Sequence, residues 1–210
     1  MAKRILPYRD YSEHDVVNLF ALDVSSATLA NMVPGGSGDF DAGVVVKVSA
    51  GALPGDTPST LETSGSLRDY LGASFSGAHI GFNAYPSNGM TVVPADGSGA
   101  TLGITLRETL AFDENGEKML YYKQKLDEAQ GVLPGETVPV LSKGMVLLSA
   151  DAFHTSATVN APVVGDSLEV SGNTSGKLEV LGSGTAVGKV IATGVDTSSS
   201  AIKYLCKVSF

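Results

Sequence analysis

The chain has 210 residues, of which 43% are apolar, enough for one large or two small buried cores. Only 17% are charged, against about 25% in an ordinary globular protein, so its surface is built from small polar residues or is partly covered by a partner. A formal charge of 14 − 22 = −8 argues against a nucleic-acid partner, because phosphates are held by Lys and Arg.

Cys206 is the single cysteine, which excludes an intrachain disulfide and fits assembly in a reducing compartment. No apolar run reaches the length of a membrane span, and no apolar stretch follows Met1-Ala-Lys-Arg. A membrane partner and a signal peptide are therefore not expected.

Residues 1–40 read as an N-terminal arm and Gly-rich linker, and "GGSGDFDAG" at 35–43 as a flexible loop leading into the body. Pro7 favours an extended backbone and keeps Leu6 out of the helical region. Arg4, Tyr8, Arg9, Tyr11 and Phe20 are residue types that anchor interfaces, so the arm is expected to dock on a partner. Helical spacing is scarce: Tyr11–Leu22, with Ser12 as a cap, and Lys123–Gln130 are the two candidates.

Short β-branched runs bounded by Gly, Pro, Asn and Asp fill the rest. They lie at 43–50, 90–95, 101–110, 138–149, 166–170, 176–180, 187–195 and 201–210, and Asn115-Gly116 marks a hairpin turn within 112–120. The fold class is mainly β, with tandem β-barrel or sandwich-like repeats of short antiparallel strands.

An internal repeat divides the body into 41–117 and 118–210. "LPGDT" at 53–57 returns as "LPGET" at 133–137, and 79–93 parallels 163–180. "GSGATLGITLRET" at 97–109 parallels "GSGTAVGKVIATG" at 182–194. Gly103 and Gly188 occupy the same place in this pattern and predict a bulge or a close backbone approach in each copy. In the same alignment Gly165-Asp166 corresponds to Gly81-Phe82, and Ser167 to Asn83.

"VGDSLEV" at 164–170 has the look of a Gly-Asp-Ser-Leu esterase signature. A serine nucleophile needs a histidine oriented by a carboxylate, and in those esterases the histidine follows the serine. Here His14, His79 and His154 all precede Ser167, so Ser167 reads as a strand residue. "GSGTAVGKV" departs from a phosphate-binding loop: Ser183 stands where the first Gly belongs and Val190 where Ser or Thr belongs. The histidines lie 65 and 75 residues apart, without zinc-ligand spacing. "DENGE" at 113–117 lacks the closing Glu of a calcium loop. Asp39 and Asp41 lack a third catalytic group. No catalysis, metal or cofactor is expected.

In "ETVPVLSKGMVLLS", "PVVGDSLEVSGNTSGKLEV" and "GTAVGKVIATGV", which cover most of 136–195, the chain resembles the capsid decoration, or cement, proteins of tailed bacteriophages. The first copy, 53–109, matches more loosely, with "FNAYP" where "DSLEV" belongs. The resemblance implies a β-barrel-like fold in a virion structural protein. It further implies a homo-oligomer, often a trimer, that binds the major capsid protein on the capsid surface and stabilises it without catalysis. A head-fibre base, a tail-associated minor virion protein and a carbohydrate-binding or adhesin domain are the alternatives.

Overall fold

A computed structural model describes residues 4–22, 42–51, 90–110, 115, 122–132, 137–156, 159–195 and 201–210. Among the described residues the regular structure comprises fourteen strands, one short α-helix and two 3-10 turns. In chain order the strands are β1 (Ile5–Asp10), β2 (Val16–Val17), β3 (Ala21–Leu22), β4 (Val45–Gly51), β5 (Met90–Pro94), β6 (Thr101–Thr105) and β7 (Glu108–Thr109). Helix α1 (Lys123–Glu128) precedes β8 (Gly131–Val132), β9 (Val140–Leu141), β10 (Lys143–Ser149), β11 (Ser167–Val170), β12 (Leu178–Val180), β13 (Gly188–Val195) and β14 (Ile202–Ser209). All eight runs read from the sequence contain strand. The second helical candidate forms α1, which buries Leu126. The first does not: Glu13–Asp15 is one 3-10 turn, with the Ser12 hydroxyl accepting from the His14 N–H, and short strands follow it. Val16 and Val17 are β-branched and find a ladder partner in β9, which outweighs weak helical spacing.

Two six-stranded sheets carry the fold, with orders β12-β11-β13-β14-β10-β1 and β3-β5-β4-β6-β9-β2, beside a small β7-β8 pair. Pairing is antiparallel except in β3:β5 and β7:β8. Both large sheets keep two edges, so neither closes into a barrel.

The sheets repeat one topology. Taking β2, β4, β5, β6 and β9 as one unit and β10 to β14 as the other, each places its third, second, fourth, fifth and first strands side by side. The register is shared as well. Val46 pairs with Pro94 and Gly103, as Leu168 pairs with Val180 and Gly188. Ile104 faces Leu141 as Lys189 faces Lys207. Gly43, at φ +90°, donates to the Thr105 carbonyl at 2.7 Å, and Gly165, at φ +98°, donates to the Val190 carbonyl at 2.9 Å.

This geometry changes the alignment and the boundary read from the sequence. β4, not the segment around Asn83, occupies the place of β11, so Val45 corresponds to Ser167. Residues 79–89 and most of the Leu-Pro-Gly segments lie outside the described residues. The mismatch arises because residues 52–89 separate β4 from β5, whereas only residues 171–177 separate β11 from β12. β9 closes the first sheet and Ser142 leads directly into β10, so the units meet at Ser142 rather than between 117 and 118.

The N-terminal segment is not a free arm. β1 pairs with β10, β2 pairs with β9, and Ile5 is 3% exposed within the main core. Extended backbone at Pro7 is retained, but on an edge strand, where a missing N–H is tolerated.

The units stack front to back. Val45, Ile104 and Leu141 form one face of the first sheet and share a core with Leu168, Cys206 and Val208 of the second. On the other face of the first sheet, Val44, Val46, Val92 and Val140 pack with Val132, Val138 and Phe20. A backbone interlock fixes the stack: Gly176 donates to the Ala95 carbonyl at 2.7 Å, and its own carbonyl accepts from Val45 N–H at 3.1 Å. Gly176 has φ +77°, and a Cβ there would lie 2.6 Å from Val44 Cγ1. Only glycine meets both conditions.

Both pattern glycines lie against neighbouring backbone. A Cβ on Gly103 would run into the Leu141 carbonyl, and one on Gly188 would lie 2.8 Å from the Lys207 carbonyl oxygen. Gly188→Val is therefore expected to cost roughly 1–3 kcal/mol in urea unfolding, and Lys189→Ala, on an exposed side chain, about 0.5 kcal/mol or less. Equal stability of the two variants would refute the close approach. Removing residues 1–11, or Ile5→Ala alone, is expected to destabilise the body, by about 2–4 kcal/mol for the point change. Unchanged thermal melting of the truncated protein would refute the role of β1 in the core.

Candidate docking face

The five residues expected to anchor an arm are divided by the fold. Tyr8 stays 52% exposed on β1. Tyr11 packs on the main core and Phe20 on the smaller one. The Arg4 carbonyl accepts from Ser149 N–H at 2.8 Å. Arg9 is half-buried, donating from Nη1 to the Leu106 carbonyl at 3.2 Å, and its buried Nε has no partner among the described residues. Arg9 borders a groove of about 400 Å³ between β1 and the α1–β7 region, with Leu6, Pro7, Leu106, Glu108 and Glu128 along it. The five thus belong to the body, and Tyr8 alone of them is widely exposed.

Ser167 opens β11, opposite Lys189, and its carbonyl accepts from Leu181 N–H at 2.9 Å. His154 is held elsewhere: its backbone N–H donates to Leu178, opposite Val170, and its Nδ1 lies 2.9 Å from Thr174 Oγ1. The two side chains therefore serve opposite ends of β11, roughly 10 Å apart at strand spacing. The Gly-Ser-Gly at 182–184 leads into β13 and not into a helix, so no helix N-terminus stands there to receive phosphate. Asp39, Asp41, His79 and all of 112–120 except Asn115, which lies in a turn, fall outside the described residues. Among the described residues no three His, Cys, Asp or Glu side chains gather as metal ligands, and no helix is long and apolar enough to cross a membrane. Cys206 is fully buried, and burial pushes its thiol up to about 12, which keeps it protonated and unreactive at neutral pH.

The same strand position clamps the Gly-Ser-Gly turn in both units, with opposite charge. Lys47 Nζ lies 2.7 Å from Asp96 and 3.1 Å from Ser98 Oγ. Glu169 Oε2 instead accepts from Gly184 N–H at 2.6 Å. Glu169 stands directly opposite Glu179, and both are less than a tenth exposed. Facing like charges destabilise a sheet, and here each carboxylate turns to its own donor, Glu179 accepting from Ser171 Oγ at 2.7 Å. These carboxylates hold turns. Sequence reading missed them, although the paired "SLEV" and "KLEV" of one hairpin carry the signal.

Exposed large apolar side chains concentrate at one margin of the second sheet. Val163, Val164, Ile191, Val195 and Ile202 are 42–66% exposed. Beyond Val190 the outer side of β13 pairs with no strand among the described residues, while its inner side stays paired with β14 as far as Val195–Ile202. The result is a two-stranded ribbon with an open apolar edge, carrying neither Pro nor charge between Ile191 and Val195. Natural edges normally carry such protection.

No family model, curated protein or solved structure matches the chain.

The hydrogen bond from Lys47, followed by those from Ser98, holds the Asp96 carboxyl well below the usual carboxylate range. A depressed folded-state value means the contact contributes fully above the ordinary carboxylate range and is lost only as pH falls through the lowered value. The Lys47–Asp96 turn is therefore expected to persist at about pH 4, where a free Asp is already half protonated. Carboxyl carbon NMR titration checks this, with Lys47→Met returning Asp96 towards an ordinary titration. An ordinary midpoint in the wild type would refute the clamp.

Proposed function

We propose that the protein is a virion structural component that decorates a tailed-phage capsid and stabilises it by bridging capsid subunits, with no catalytic step and no cofactor. The observation that carries this reading is the open apolar edge of the β13–β14 ribbon, beside Val163 and Val164. An unprotected edge of β-branched residues is a liability in a free protein and suits one that works bound to a partner. The likeness of 136–195 to cement proteins supplies the class of partner, the major capsid protein, and a homo-oligomeric state.

The physics of the role asks for little chemistry. A protein that binds only the assembled lattice stabilises that state by mass action, and contacts through several subunits of one oligomer add avidity. A rigid β body with an adhesive margin meets both needs.

The direct test is quantitative mass spectrometry of purified virions of the encoding phage. A copy number stoichiometric with the capsid lattice is expected, and near-absence refutes the reading. Ile191→Asp/Val195→Asp is expected to lower occupancy on capsids at least tenfold with unchanged thermal melting, because both side chains are exposed. Full occupancy by this variant would remove the ribbon from the interface.

A further inference from the structure

The two units differ most where they are geometrically equivalent. On the back face of the first sheet, Val45, Ile104 and Leu141 are 1% exposed or less and lie beneath the second unit. The equivalent positions on the back of the second sheet are Ser167, Lys189 and Lys207, in one ladder row, and both lysines are exposed. The row continues through Met145 to Asp10 on β1. Strand alternation puts Lys143 and Lys203 on the same face, with Leu147 and Leu205 between the charges. Four lysines thus share one face of a chain whose net charge is −8.

Lys189 and Lys207 stand directly opposite each other, an arrangement that costs stability in a sheet. The carboxylates nearest in register leave that cost in place. Glu169, two residues along β11 from Ser167, is turned to Gly184 N–H, and Asp10 stands across Met145 from Lys207. An external carboxylate between the lysines would relieve it.

We propose that the back face of the second sheet is a second docking surface, distinct from the ribbon edge, for a protein surface that presents carboxylates. The first unit supplies the precedent, since the same face there is the interface that carries the second unit. Apolar side chains fill that internal joint, which is never exposed. Lysines flanked by Met145, Leu147 and Leu205 suit a joint made after folding, soluble when open and matched to an acidic partner when closed. A polyphosphate is disfavoured by the negative charge of the whole chain and because the central facing pair consists of lysines, whereas arginine is the residue of choice for planar recognition of phosphate.

This assignment rests on the decoration reading and names the partner chemistry of its second contact, carboxylates on the capsid lattice. The test is binding of the purified protein to capsids of the encoding phage, read by co-sedimentation across a salt series. Lys189→Glu/Lys207→Glu is compared with Arg107→Glu/Lys123→Glu, which changes charge equally elsewhere. The expected result is at least a tenfold loss of affinity for the first variant and less than threefold for the second, with wild-type binding weakening as salt rises. Circular dichroism melting close to wild type for both variants ensures that folding is not what is read. Equal binding by the two variants overturns the docking face and leaves the decoration reading standing. Failure of the wild type to bind capsids overturns both. Fluorescence anisotropy with duplex DNA and sedimentation velocity of the protein alone cover the rival occupants. DNA binding that vanishes in Lys189→Glu/Lys207→Glu, or self-association that does so, overturns the assignment in favour of a nucleic acid or a second copy.

Discussion

Everything in this molecule depends on one joint, the back of the first sheet against the front of the second. Val45, Ile104 and Leu141 meet Leu168, Cys206 and Val208 there, and each buried aliphatic side chain contributes on the order of 1.5–3 kcal/mol relative to exposure. Apolar contact alone does not fix the relative position of two sheets. The backbone of Gly176, hydrogen-bonded to both Val45 and Ala95, supplies that directionality. β1 and β2 strengthen the joint by running along β10 and β9, one in each sheet.

Front-to-back stacking resembles the logic of repeat proteins, in which neighbours cover one another and the terminal face must be made polar. Replacement of Ile104 and Leu141 by Lys189 and Lys207 in the second unit follows that logic. The same positions thus form a buried joint in the first unit and a charged, exposed face in the second. The ribbon beyond Val190 is different in kind. There β13 outruns β11, and among the described residues the ladder on that side ends, with apolar side chains exposed along the edge.

Polar groups that could suggest an active site are engaged in holding turns. Glu169 and Lys47 clamp the two Gly-Ser-Gly turns, Glu179 secures the turn at Ser171, and Thr174 holds His154. Hydrogen bonds of this kind specify local geometry.

The sequence by itself determined the secondary structure class, because alternation and turn residues are local properties of the chain. The eight apolar runs all contain strand, and the pattern glycines at 103 and 188 could be assigned a close approach before any partner strand was known. Cys206 read as a solitary thiol for the same reason. Only the tertiary structure decided which strand answers to which. The connection at 52–89 breaks the sequence offset between the units, and hydrogen-bond register, which is nonlocal, identifies Val45 and not Asn83 with Ser167. Tertiary structure also decided the fate of Ile5, Tyr11 and Phe20. Their composition suits an interface or a core equally, and the choice fell to the core because β9 and β10 offered a free ladder to pair with. The face of Lys189 and Lys207 was hidden for a related reason. Alternation places each lysine opposite a buried neighbour, but only the pairing of β13 with β14 sets the two side by side.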